Sequence, residues 1–347
     1  MDLLTANDPA GEHAPSAYAA AAGPQPLRPA AEGAIRADVC VIGGGFTGLS
    51  AALHLARRGY RVVLLEAQRA GFGASGRNGG QIGQGQRVDQ SELERMLGRE
   101  HAHALWRIAT QAVDLVRALA AEALIATPVH DGLICADHRA RFVSGSLAEA
   151  RKLREEYAYD KIEGLDRDAL RALVDSPVFH GGTLDLGAGH LDPLRFALGL
   201  ARAAEAAGAE IFERSRVVRL DAASPAKIAT DRAEITAEHV VLACNGYLGD
   251  LAPEVAARVM PINNFIVATE PLPAERRERL IRNNYAVADS KFVVNYFRFS
   301  EDGRLLFGGA ESYGYRFPKR FAEAVRRSML WVYPQLSDVR IDYAWGG

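Results

Sequence analysis

The first sustained pattern of apolar positions is the run Ala37-Asp38-Val39-Cys40-Val41-Ile42. A strand buried on both faces of a parallel sheet has this composition, because neither face meets water. Glycines follow at once, and Leu49 to Arg58 then spaces its apolar residues at helical intervals before stopping at Gly59. Val62-Val63-Leu64-Leu65-Glu66 reads as a second buried strand. Strand, glycine turn, helix and strand make a βαβ unit of about 30 residues.

Beyond it the pattern predicts one or two amphipathic helices over residues 91–124, a strand from His130 to Ala136 and helices at 145–157 and 168–175. Pro193 to Ala207 is a helix with proline at its start and Gly208 at its end. Ala209 to Leu220 and Ala233 to Ala243 read as strands. From Pro261 to Phe307 the pattern mostly alternates, and Asp302-Gly303 makes a hairpin turn between Tyr296–Phe299 and Leu305–Phe307. No internal repeat is visible.

Composition narrows the function classes. A chain of 347 residues can form two lobes with a sizeable core. Its net charge of −2, with both signs interspersed, gives no basic stripe for nucleic acid. No apolar run reaches about 18 residues, so no membrane span is expected. The three cysteines, Cys40, Cys135 and Cys244, are far apart in sequence and read as small buried hydrophobes, with no disulfide or zinc framework. The histidines show no metal spacing. Residues 1–34 are rich in Ala, Pro and Gly, lack a secretory pattern and read as a solvated, disordered tail. A cytoplasmic location is the expectation.

The candidate chemistry begins at Gly43-Gly44-Gly45-Phe46-Thr47-Gly48, a G-x-G-x-x-G between strand and helix. Gly43 permits the tight turn, Gly45 leaves room for a pyrophosphate, and Gly48 lets helix and strand pack closely. The helix start, with Phe46 and Thr47, directs unpaired N–H groups and partial positive charge at the phosphates. Glu66, ending the second strand, is placed to accept hydrogen bonds from an adenosine ribose; its charge disfavours NADP. Between FAD and NAD the βαβ unit does not decide. Arg69 to Gln81 does: Ala74, Ser75, Arg77, Asn78, Gly79, Gly80 and Gln81 interleave small residues with polar ones. Such backbone can be approached closely, and its polar groups suit the pyrophosphate, ribityl chain and ring edge of a flavin.

Together the glycine loop, Leu64-Leu65-Glu66 and Gly73-Ala74-Ser75-Gly76-Arg77-Asn78-Gly79-Gly80 resemble FAD-dependent oxidoreductases of the D-amino-acid oxidase superfamily, in the branch of gamma-glutamylputrescine oxidoreductase and glycine/sarcosine oxidase-like enzymes. Later landmarks match as well: Gly189-His190-Leu191-Asp192-Pro193, Thr269-Glu270-Pro271-Leu272 and Arg304 to Gly309. The implied fold is α/β, with a glutathione-reductase-like Rossmann FAD-binding lobe and an inserted α+β substrate lobe built on a largely antiparallel mixed sheet. The FAD lobe is expected at 35–88 and 171–250, and the substrate lobe at 89–170 and 251–340. The resemblance also implies that Val217 meets the adenine and that Ala243 and Asn245 return to the cofactor. FAD is expected to be held noncovalently.

The implied reaction is oxidation of a C–N bond in a small amine or amino acid: hydride transfer to FAD N5, imine hydrolysis, and reoxidation by O2 or another acceptor. No general base is obligatory, and no catalytic residue is named. On the substrate side Asn263, Tyr285, Tyr296 and Arg298 are the candidates. Tyr296 and Arg298 share one strand face and could bind a carboxylate. The family pattern continues beyond Trp345-Gly346-Gly347, so a truncated chain is expected, with 341–347 beginning a return to the FAD lobe. Two other readings are a truncated, non-catalytic FAD-binding module and an NAD-dependent dehydrogenase.

Overall fold

A computed structural model describes residues 2–347. In chain order its strands are β1 (Gly33–Ile42), β2 (Val62–Leu65), β3 (Gln81–Ile82), β4 (His130–Ala136), β5 (Ile162–Leu165) and β6 (Gly182–His190). There follow β7 (Glu210–Phe212), β8 (Arg219–Asp221), β9 (Ala226–Ala229), β10 (Ala233–Leu242) and β11 (Asn263–Pro271). The last four are β12 (Ala286–Asp289), β13 (Tyr296–Phe299), β14 (Arg304–Ser312) and β15 (Ile341–Gly346).

These strands form two sheets. The first has six strands in the order β7-β2-β1-β10-β9-β8. Its four central and leading strands are parallel, with Val41 opposite Leu64 on one side and Val241 on the other. Val39, Val41, Val62 and Leu64 face the helices Phe46–Ala56 and Pro193–Ala206, while Cys40, Ile42, Val63 and Leu65 pack on the other face with Ile228 and Ile235. Burial on both faces is why those runs lack alternation. The second sheet has nine strands, ordered β15-β11-β14-β13-β12-β4-β6-β3 with β5 on β6. All its pairings are antiparallel except β12 with β4. Helix Phe321–Val332 covers it, burying Val325, Met329 and Val332 against Phe265, Phe297 and Phe307. This mixed α/β architecture is the expected fold class.

Three expectations need correction, and a fourth holds only in part. Residues 1–34 were expected to be a solvated tail, but the described part lies against the body. Ser16 caps a short helix, Ala17–Ala22, and Tyr18 is buried, its ring edge-on to Trp345 at 5.3 Å. Gln68 fixes the stretch before it, donating to Leu4 O at 3.0 Å and accepting from Gly11 N at 2.6 Å. Sparse anchors of this kind leave no periodicity in an Ala/Pro/Gly-rich sequence. Second, β6 falls within 171–250, the stretch expected in the FAD lobe, yet it runs in the nine-stranded sheet. Its glycines allow that close pairing: a Cβ at Gly182 would lie 2.0 Å from Cys135 O, and one at Gly189 2.2 Å from His130 O. Third, Ala209 to Leu220 is two short strands, not one; between them Glu213 and Ser215 turn inward to bind Arg28, Ala70 and Ala31. Cys40 is buried, Cys244 half-buried and Cys135 exposed, so only part of the cysteine expectation holds. No helix among the described residues is long and apolar enough to cross a membrane.

Candidate functional site

The turn after β1 is built as its glycines suggest. Gly43 has φ +112°, and a Cβ there would lie 2.6 Å from Ala243 O on the neighbouring strand end. A Cβ at Gly48 would lie 1.9 Å from Gly43 O, so only glycine lets the helix sit this close to the turn. Gly45 precedes helix Phe46–Ala56, whose first amides have no partners within the helix. Phe46 N donates to Ser75 Oγ at 2.9 Å, which brings the 73–81 stretch onto the helix N-terminus. Backbone amides and the helix dipole together favour a negatively charged group there.

Glu66 stands beside this turn, buried at the end of β2. It accepts from Gly44 N at 2.6 Å and Gln68 N at 2.8 Å. Burial pushes its pKa up, and the hydrogen bonds from Gln68 and Gly44 oppose that rise. Each carboxylate oxygen retains a lone pair for a further donor. A cavity of about 340 Å³ opens here, lined by Gly43, Gly45, Glu66, Ala74 and Ser75 on one side and Val217, Ala243 and Asn245 on the other. Eight predicted positions, spread over more than 200 residues of sequence, thus meet at one cavity. Leu4 and Tyr247 also line it, and sequence reasoning missed both.

Other predicted positions lie around this cavity. Phe46, Thr47, Asn78, Gly80 and Gln81 line a mostly apolar groove of about 440 Å³ together with Ile82, Leu119, Leu191 and Phe196. Arg77 lines a third cavity, of about 260 Å³, which shares Ala74, Asn245 and Tyr247 with the first. Its Nε donates to Phe72 O at 2.6 Å, and Nη1 donates to Asp8 and to Gly346 O at 3.1 Å. Arg77 Nη2 is buried without a partner. Gly48 and Gly79 serve as close-packing points: a Cβ at Gly79 would lie 2.7 Å from the Tyr296 ring.

The four substrate-side candidates are not brought together. Asn263 borders the third cavity, its Nδ2 donating to Ser312 Oγ at 3.2 Å and to Gly314 O. Tyr285 packs over Gly132, and its hydroxyl accepts from Asn283 Nδ2 at 3.1 Å. Tyr296 donates to Asn264 Oδ1, and burial pushes its pKa up. Arg298 is buried, with Nε on Gly79 O, Nη1 on Phe299 O and Nη2 on Tyr18 and Leu191 O. Tyr296 and Arg298 both lie against Gly79, but the arginine's donors point at three backbone carbonyls and the Tyr18 hydroxyl.

A glycine turn at a helix N-terminus, a buried carboxylate lining the same cavity and an unpartnered buried guanidinium nitrogen in the adjoining one suit a dinucleotide with a diphosphate. Comparisons with known proteins bear on which one. Residues 38–347 match the family described as FAD dependent oxidoreductase (DAO). A Rhizobium meliloti (strain 1021) protein named "Probable oxidoreductase OrdL" is 41% identical over 331 residues, covering 95% of this chain and 77% of that one. Gamma-glutamylputrescine oxidoreductase from Escherichia coli (strain K12) is 37% identical over 337 residues, covering 97% of this chain and 79% of that one. Among solved structures, glycine oxidase from Geobacillus kaustophilus superposes with a TM-score of 0.73 over 90% of this chain and 82% of that one, at 21% identity, a likeness of fold. With the family matched from β1 to the last strand, the chain belongs to the FAD dependent oxidoreductase (DAO) family and is an FAD-dependent oxidoreductase.

Proposed function

We propose that the chain oxidises a C–N bond in a small amine or amino acid, and that an amine resembling gamma-glutamylputrescine is the first substrate to try. The observation that carries this reading is that both cavities reach the N-terminus of helix Phe46–Ala56: Gly45, which caps it, lines the Glu66 cavity, and Phe46 and Thr47, its first residues, line the groove bordered by Asn78, Gly80 and Gln81. The residues that would hold an FAD are Glu66 for its adenosine, Gly45 for its diphosphate and the Asn78–Gln81 stretch for its ring end. The substrate suggestion rests on the relative named gamma-glutamylputrescine oxidoreductase.

When bound, FAD supplies a two-electron acceptor for the carbon next to the amine, and O2 or another acceptor regenerates it. The protein's residues do the rest. Glu66 would accept from the ribose hydroxyls, and Gly45 and Thr47 at the helix start would give the diphosphate N–H donors, Gly44 N–H being held by Glu66 and Phe46 N–H by Ser75. Ser75 holds the 73–81 stretch against that helix start. The apolar groove wall of Ile82, Leu191 and Phe196 disfavours an ammonium and favours the neutral amine, the form with a free lone pair. On this reading the six-stranded sheet carries the cofactor and the nine-stranded sheet faces the amine. FAD is held without a covalent bond.

The test is an anaerobic panel of amines added to the FAD-loaded protein, read by loss of flavin absorbance. Gamma-glutamylputrescine, other diamines, sarcosine, glycine and D-amino acids make up the panel. Bleaching by an amine with stoichiometric carbonyl product supports the reading. Loaded protein that no amine bleaches, while a chemical reductant does, contradicts it.

A further inference from the structure

Four consecutive carbonyls in the glycine-rich stretch are each held by a different group. Trp345 Nε1 donates to Arg77 O at 2.9 Å, and Tyr18 Oη to Asn78 O at 3.0 Å. Arg298 Nε donates to Gly79 O at 2.6 Å, and Leu191 N to Gly80 O at 2.9 Å. The holders are themselves joined. Arg298 Nη2 donates to Tyr18 Oη at 3.1 Å and to Leu191 O at 2.8 Å, and the Tyr18 ring meets Trp345 edge-on. All three side chains are buried: Tyr18 is 2% exposed, Trp345 2% and Arg298 4%.

Such a clamp has a consequence for the other side of the chain. In a trans peptide the N–H points opposite to the carbonyl of the same unit. Fixing Arg77 O and Asn78 O therefore turns the Asn78 and Gly79 N–H groups away from the clamp. Neither N–H has a partner among the described residues, whereas Gly80 N–H is already taken by Asn78 Oδ1 at 2.8 Å. Consecutive free amides of this kind attract negative charge. The glycines are required by the clamp itself: a Cβ at Gly79 would strike the Tyr296 ring, and one at Gly80 would lie 2.8 Å from Arg298 Nη2.

We propose that Tyr18 and Arg298 are positioning residues that orient the Asn78–Gly79 amides as hydrogen-bond donors to the bound flavin. Tyr18 lies outside residues 38–347, so the family match does not assign it a role. Arg298 thereby has a different task from binding a substrate carboxylate. The proposal rests on the FAD-bound reading above. Reduction places negative charge on the flavin, and preorganised donors stabilise that charge more than they stabilise the oxidised form.

Tyr18→Phe separates this from packing, since it keeps the ring on Trp345 and removes only the hydroxyl. The FAD-loaded variant should show a more negative flavin midpoint potential, shifted visible absorption bands and an FAD dissociation constant raised about fivefold or more. Arg298→Lys, which keeps the charge but lacks the planar fork, should move the same three readings in the same direction. A lowered melting temperature in both variants with parental potential, spectrum and affinity overturns the clamp and leaves the residues as packing elements. Should Tyr18→Phe fail to fold, parental readings for Arg298→Lys overturn it equally. Failure of the parent chain to take up FAD would sink the reading underneath as well; normal uptake with unperturbed variants sinks the clamp alone.

Discussion

Replacing Glu66 by Gln changes two measurable quantities by different routes. The two carboxylate oxygens accept from different backbone amides, Gly44 N and Gln68 N. A glutamine of the same shape offers one oxygen and one NH2, so one buried N–H is left facing a donor. That costs about 1–3 kcal/mol of folding stability in the FAD-free protein. The ribose contacts lose the charge on their acceptor too, and charge-assisted hydrogen bonds exceed neutral ones by about 1–2 kcal/mol. FAD should therefore bind roughly 5- to 30-fold more weakly. Burial raises the Glu66 pKa above its ordinary 4.5, so the folded protein binds a proton in a pH range where the unfolded chain has released it. Glu66 accordingly makes a contribution that falls as pH rises through that range, and Glu66→Gln should remove this slope. The assays are denaturant unfolding of the FAD-free protein across pH and fluorescence titration with FAD. Affinity within twofold of the parent, beside lowered stability, would refute the ribose role and leave Glu66 as a brace for the turn.

Three other outcomes follow from particular contacts. Gly80 sits at φ +72°, and an added Cβ would lie 2.0 Å from Leu191 O; Gly80→Ala should cost about 2–4 kcal/mol, seen as a lower denaturant midpoint. Ser75→Ala removes the acceptor from Phe46 N and should cost about 1 kcal/mol, read by thermal unfolding without FAD. His190 is fully buried, donates Nε2 to Asn284 O at 2.7 Å, leaves Nδ1 unpartnered, and burial with the nearby Arg298 charge lowers its pKa to about 3. Between about 3 and 6.5 the unfolded chain binds the proton that folded His190 refuses, so stability rises with pH across that window and falls as pH drops. His190→Gln should flatten the unfolding free energy over that interval, and an unchanged slope would show that other groups set it.

Much of the cofactor half was legible because its signals are local. Val39–Ile42 and Val62–Leu65 are apolar without interruption since both faces are covered, and the glycines between them answer to contacts with Gly43 O and Ala243 O a few bonds or one strand away. Ala74 and Ser75 are placed by the small and polar residues of their own stretch and Asn245 by resemblance, and all three line the Glu66 cavity. The substrate half was less legible because its key contacts are distant in sequence. The period of two puts Tyr296 and Arg298 on one face, but it says nothing of Tyr18, Gly79 and Leu191, which take up the guanidinium. Nor did β6 announce itself. Its glycines give it no alternating pattern of bulky apolar residues, and they allow β4 to approach. Tyr18 was hidden for the simplest reason: one aromatic in an alanine run has no period, and its burial depends on Trp345 at the far end of the chain.

The central claim is that the cavity at Gly45 and Glu66 holds the adenosine diphosphate half of FAD. Titrating FAD-free protein with FAD in the presence and absence of ADP tests it directly. The account predicts a yellow complex of one FAD per chain, with ADP raising the apparent dissociation constant in proportion to its concentration and Glu66→Gln weakening both ligands. FAD uptake that ADP leaves unchanged, or no uptake at all, would contradict it.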